Sequence, residues 1–192
     1  DFAAGERGIA CLPSRIGEFQ DGVGLAIEYA KALGCKQLNC LAGIQGNDRE
    51  NAARTLVDNL KFAASSLGDA GIRLLVEPLN TRDIPDFFLC RSAQAIAIIN
   101  EVASPNLYLQ YDVYHMQIME GDLSRTIEKH VRRIAHFQVA DNPGRHEPGT
   151  GEIYYPFLFD LIDRLGYQGW IGCEYKPSMT TIAGLDWIRP YR

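Results

Sequence analysis

The sequence predicts an α/β fold on a parallel sheet, of the (β/α)8 barrel type, with about five of the eight βα units present. Short apolar runs alternate with stretches of helical periodicity in the order βαβαβαβαβ(α), the pattern of parallel strands joined by right-handed crossovers. Four of these runs end in a polar side chain: Glu77 in LLVEPLN, Asp112 in LYLQYDVYH, Gln138 in IAHFQVADN and Glu174 in WIGCEYKP. A barrel gathers its functional groups at the C-terminal ends of its strands, which is where these four fall. No GxGxxG follows a strand, so a dinucleotide-binding sheet has little support.

In chain order, Asp1 to Ser14 reads as loop. From Arg15 to Leu33, Ile16, Phe19, Val23, Ile27, Ala30 and Leu33 recur at helical spacing, and Gly34 is a stop signal. Gln37 to Leu41 is a short strand, and Asn51 to Leu67 a helix with Leu56, Leu60 and Ala63 on its buried stripe. Arg73 to Pro78 is the next strand, apolar except for Glu77. A helix from Ser92, a plausible cap, runs to Val102; a strand follows from Leu107 to Val113, then YHMQ, then a helix from Asp122 to Val131. From Ile134 the chain alternates, with His136, Gln138 and Ala140 on one face and Ala135, Phe137 and Val139 on the other. The turn cluster Asp141-Asn142-Pro143-Gly144 ends that strand and opens a loop carrying Arg145, His146 and Glu147. A helix from Tyr155 to Leu165, a strand from Trp170 to Tyr175 and a helical tail near Ala183 to Ile188 complete the chain.

The 192 residues are enough for one domain with a sizeable core, and the whole chain reads as a single partial barrel. A net charge of -5, with Lys and Arg scattered, disfavours nucleic acid as the main partner, because phosphate binding needs a concentrated basic surface. No apolar run is of membrane-spanning length and no signal-peptide pattern opens the sequence. Five cysteines without a CxxC pair read as reduced core thiols of a cytoplasmic protein. A whole barrel is ~250 residues long, which puts the shortfall at the N-terminus. Such a chain would expose the strands Gln37–Leu41 and Trp170–Tyr175 as sheet edges, and is expected either to be a segment of a longer protein or to aggregate when made alone.

Burying three carboxylates among apolar strands is costly unless a cation compensates them. Two Glu, one Asp and a Gln amide form an all-oxygen set that favours Mg²⁺ or Mn²⁺, and the absence of His and Cys from it argues against structural zinc. Each carboxylate could instead cap a strand or pair with a local Arg, but four equivalent positions on successive strands favour a shared site.

The motifs LLVEPLN, QYDVYHMQIMEG, HFQVADNPGRHEPGTGEI and GCEYKP closely resemble the hydroxypyruvate isomerase family, a branch of the xylose-isomerase-like barrels. The resemblance is collinear from AAGERGIACLPSR to GLDWIRPYR. It implies a divalent metal on Glu77, Asp112, Gln138 and Glu174, with Glu77 and Glu174 as the acid/base pair. It also implies interconversion of hydroxypyruvate and tartronate semialdehyde through an enediolate, and that the first three βα units are absent. The loop AGIQGNDRE is shorter than is usual in that family.

His115, three residues after Asp112, is expected to reach a substrate oxygen. Arg145 suits a substrate carboxylate, which a guanidinium grips with two parallel bonds, and Lys176 is a second candidate for that role. His136 reads as a satisfied core histidine and His130 as solvated helix surface. The alternatives are a 2-oxo-tetronate or other sugar-acid isomerase or ketose epimerase, a metal-dependent phosphodiesterase of the abasic-site endonuclease type, and a non-catalytic remnant. The partner expected is a small 2-oxo or hydroxy acid, not nucleic acid or a membrane, with a homo-oligomer possible.

Overall fold

The computed structural model describes residue 3 and residues 5–191; of the stretch read as N-terminal loop, positions 1, 2 and 4 lie outside the described residues. Internal contacts divide the chain into two compact units, Asp1–Gln110 and Tyr111–Arg192.

The first unit holds α1 (Ile16–Leu33), β1 (Gln37–Cys40), α2 (Arg49–Asp69), β2 (Arg73–Val76), α3 (Ser92–Val102) and most of β3 (Leu107–Asp112). β1 and β2 run parallel with Asn39 opposite Leu75, and β2 and β3 run parallel with Leu75 opposite Tyr108. α1 buries Phe19, Val23 and Ala30, and Gly34 closes it in the left-handed conformation, its N–H meeting the carbonyls of Ala30 and Lys31. α2 starts on Asp48, whose carboxylate accepts from the Asn51 N–H at 3.0 Å. It buries Ala52, Leu56, Leu60, Ala63 and Leu67, one stripe at helical spacing. Leu56, Leu60, Leu74, Leu75, Val76, Leu107 and Leu109 are almost wholly excluded from water and form this unit's core. Residues 8–15 hold more regular structure than the loop the sequence suggested. Gly8 bridges Ala42, the Cys11 N–H donates to the Ala42 carbonyl at 2.7 Å, and a 3-10 turn at Pro13–Arg15 leads into the helix.

The second unit holds the end of β3, α4 (Val113–Met119), α5 (Leu123–His130), β4 (Ile134–Val139), α6 (Tyr155–Arg164), β5 (Trp170–Cys173) and a 3-10 helix at Ala183–Tyr191. β4 and β5 run parallel with Gln138 opposite Gly172. The alternation read in β4 is the burial observed from Ala135 to Val139: Ala135, Phe137 and Val139 are buried, His136 and Gln138 half-buried; Ala140, read on the face of His136 and Gln138, is buried as well. Phe137 packs edge-on between Tyr111 and Tyr167, with ring centroids 5.9 and 4.8 Å away.

Four details depart from the sequence reading. The stretch YHMQ is part of α4, which starts directly at the end of β3. Ser92 is the first helical residue of α3 rather than its cap; Arg91 holds the cap position with no side-chain bond. β2 and β5 stop at Val76 and Cys173, so Glu77 and Glu174 stand one residue beyond their strands. All five cysteines are free, but Cys35 and Cys173 are exposed, so the set is not uniformly core. No helix among the described residues is long and apolar enough to cross a membrane.

Candidate active site

Asp112 is the last residue of β3 and does two jobs there. Its Oδ1 accepts from the Tyr114 N–H at 2.8 Å, capping α4 and turning the chain from strand to helix with no intervening loop. Its Oδ2 has no hydrogen-bond partner, although the side chain is wholly buried. One turn into α4, His115 is also buried and places its Nε2 3.6 Å from that Oδ2. The cap therefore sets the imidazole as well as the carboxylate.

Glu174 follows β5, its N–H donating to the Val139 carbonyl at the end of β4 at 3.2 Å. Its side chain is about half exposed, 54%. Arg145 reaches it from the loop after β4. The Arg145 guanidinium donates to Glu174 Oε2 at 2.8 Å, lies 3.4 Å from His115 Nε2 and 3.9 Å from Asp112 Oδ2, and sits 5.0 Å over the Tyr114 ring. Burial pushes the Asp112 carboxyl up to about 7; Arg145 pulls against this and Glu174 adds to it.

Asp112, His115 and Glu174 each offer a ligand atom within 4.8 Å of the others. A buried carboxylate oxygen left without a hydrogen bond, beside an imidazole and a second carboxylate, suits a divalent cation. Oxygen with nitrogen is a donor set that Mg²⁺, Mn²⁺ or a softer ion can use.

The remaining predicted residues are placed as follows. Glu77, one residue past β2 in the first unit, is buried, and its Oε2 accepts from Asn39 Nδ2 at 2.6 Å. Gln138 stands on β4 opposite Gly172; a Cβ there would lie 3.6 Å from the Gln138 Cγ and 2.8 Å from His136 Nε2, so the glycine leaves room for both side chains. Lys176 is exposed, and it is its backbone that is tied down: its N–H donates to the Arg145 carbonyl at 2.7 Å, and its carbonyl lies 2.7 Å from His146 Nδ1. His136 is not the satisfied core histidine expected. Its Nδ1 is buried without a partner, and burial favours the neutral ring. Two participants escaped the sequence reading. Asn39 is a polar residue in a four-residue strand, and that oddity was its only signal. Asp141 was read merely as part of a turn, yet it is buried and bonded three times.

The sequence model of the family described as Xylose isomerase-like TIM barrel matches residues 7–191. Hydroxypyruvate isomerase of Escherichia coli (strain K12) is 54% identical over 194 residues, an alignment that spans 100% of this chain and 75% of that one. The 2-oxo-tetronate isomerase of Cupriavidus necator is 46% identical, over 100% of this chain and 74% of its own. A solved structure of an AP endonuclease, family 2, from Brucella melitensis superposes with a TM-score of 0.97 at 47% identity, over 100% of this chain and 75% of that chain. The chain belongs to the xylose isomerase-like TIM barrel family, in the group that includes the hydroxypyruvate and 2-oxo-tetronate isomerases.

Proposed function

We propose that this chain is an isomerase of a small sugar acid, interconverting hydroxypyruvate and tartronate semialdehyde. The observation that carries the reading is the cluster of Asp112, His115, Arg145 and Glu174: a carboxylate pair and an imidazole close enough to share one cation, with a guanidinium held against Glu174 at 2.8 Å. The names of the relatives support the same reaction class.

The metal is assigned to Glu77, Asp112, Gln138 and Glu174 on the strength of their motifs, and the closeness of the Asp112 and Glu174 carboxylates supports it. A divalent ion there would stabilise negative charge developing on the substrate oxygens. The rest is done by side chains. The two substrates differ by two hydrogens on neighbouring carbons: one C–H moves from C3 to C2, and one O–H moves from the C3 oxygen to the C2 oxygen. One glutamate takes a proton from the hydroxyl-bearing carbon next to the carbonyl, giving an enediolate; a proton returns to the former carbonyl carbon, and the hydroxyl proton passes to the former carbonyl oxygen. Glu174 is suited to this because its carboxylate is half exposed and oriented by Arg145. Glu77 is assigned as its acid/base partner. His115, buried one turn beyond Asp112, donates to a substrate oxygen, and Arg145 binds the substrate carboxylate.

Turnover of hydroxypyruvate with Mg²⁺ or Mn²⁺, and its loss in chelator, tests the reading; equal turnover in excess chelator would remove the metal from it. A 2-oxo-tetronate is the alternative substrate, favoured by the Cupriavidus necator relative, and is run in the same assay. Phosphodiester cleavage has weaker support. The cluster carries one histidine, and the chain has a net charge of -5 rather than a basic surface.

A further inference from the structure

Arg145 is held in an unusual way. Its φ is +54°, a left-handed conformation that a residue with a side chain adopts only when its surroundings hold it there. Two backbone bonds keep it there: its N–H donates to the Asp141 carbonyl at 2.8 Å, and its carbonyl accepts from the Lys176 N–H at 2.7 Å. The loop behind it is built around one carboxylate. Asp141 is only 1% exposed, and it accepts from the N–H groups of Asn142 at 3.0 Å, Gly149 at 2.8 Å and Ile153 at 3.1 Å. Its own N–H pairs with the His146 carbonyl at 2.9 Å. The fit leaves no slack, since a Cβ on Gly151 would lie 2.1 Å from the Asn142 carbonyl oxygen and 2.7 Å from Asp141 Oδ1. From the far side, Glu147 accepts from the Ser178 N–H at 3.0 Å.

We propose that Asp141 is a positioning residue of the active site: its buried carboxylate shapes the loop that aims Arg145 at Glu174. Three donors converging on one carboxylate pin the loop at both ends and in the middle, so the guanidinium is presented already ordered rather than recruited by substrate. The consequence for catalysis rests on the proposed isomerase reading; the consequence for Arg145 itself does not.

Asp141→Asn tests it, because an amide can still accept from Asn142 and Ile153 but turns a donor toward the Gly149 N–H. The expected result is a rise in KM for hydroxypyruvate on the order of 10-fold with a smaller change in kcat, a coupling within the range seen for residues in one network. In an Arg145→Ala background the same substitution should change KM no further. Effects of the two substitutions that multiply would overturn the proposal, as would KM and kcat both unchanged in Asp141→Asn. A second readout needs no turnover. Phenylglyoxal modification of Arg145, followed by peptide mass, should quicken several-fold in Asp141→Asn, while that of Arg164, whose side chain is 59% exposed, stays constant. Unchanged labelling of Arg145 would sink the proposal even if the enzyme is active. If the wild type turns over no sugar acid, the functional reading fails and the labelling still decides this one.

Discussion

Asp112→Asn should stabilise the protein in the absence of metal while abolishing metal binding. The wild-type carboxylate is wholly buried, its Oδ2 has no hydrogen bond, and burial lifts its pKa from 3.8 to about 7. The folded state therefore holds this proton more tightly than the unfolded chain, and stability falls as pH rises between those two values. Below about pH 4 both states are protonated and the cost vanishes; above about pH 7 it is complete. At roughly 1.4 kcal/mol per pKa unit, the shift corresponds to a cost of up to roughly 4 kcal/mol. Asparagine carries no charge and so lacks this dependence. It also keeps an Oδ1 for the Tyr114 N–H, so the cap on α4 survives.

Both tryptophans, Trp170 and Trp187, lie in the unit that holds Asp112, so their fluorescence reports its unfolding. Urea titrations in EDTA at intervals from pH 4 to pH 8 should show wild type and variant diverging as pH rises, with the variant the more stable at pH 8. Saturating Mn²⁺ should reverse the order, since a ligand stabilises only the form that binds it. Parallel pH profiles in EDTA, or a wild type more stable than the variant at pH 8 without metal, would refute the claim that this carboxylate is buried at a cost.

Glu174→Gln and Glu77→Gln should each lower turnover by ~10²-fold or more, the contribution of a general acid–base step; a near-normal rate in either variant would take that glutamate out of the mechanism. His115→Ala should cost less than either, roughly 10-fold in kcat/KM, and calorimetric titration with Mn²⁺ separates its possible roles: retained affinity leaves it a substrate contact, whereas lost affinity makes it a ligand. Gly151→Ala, which drives a methyl group into the Asn142 carbonyl, should raise KM as Asp141→Asn does. A Gly151→Ala enzyme with unaltered KM would show that the loop tolerates displacement.

What could be read from the sequence was whatever depends on local periodicity. The β4 alternation was legible because a parallel strand between a core and a functional end repeats every two residues, and Phe137 and Gln138 obey that repeat. The polar ends of β2, β3 and β5 were legible for the same reason: a carboxylate closing an apolar run contradicts its surroundings. α4 was not legible, because its start carries no Gly, Pro or loop signal; the junction is made by Asp112 itself. His136 was misjudged because its surroundings come from another strand, where Gly172 leaves the ring room but offers it no side chain. The Arg145–Glu174 pair joins residues 29 apart in sequence, through a backbone bond from Lys176 that no propensity predicts.

These misses share a cause, and it bears on the chemistry. Asp112 is at once helix cap and site carboxylate, and Asp141 is at once turn residue and loop core. Sequence rules assign such residues to the commoner, local role, because capping and turn formation are sufficient reasons for an aspartate at either position. The second role becomes visible only where the count of bonds exceeds or falls short of the local need. Asp141 accepts three backbone N–H groups where a turn needs one, and Asp112 uses one oxygen for its cap and leaves the other buried without a hydrogen bond. The surplus is what the proposed positioning role of Asp141 rests on, and the deficit is what makes Asp112 a candidate cation ligand.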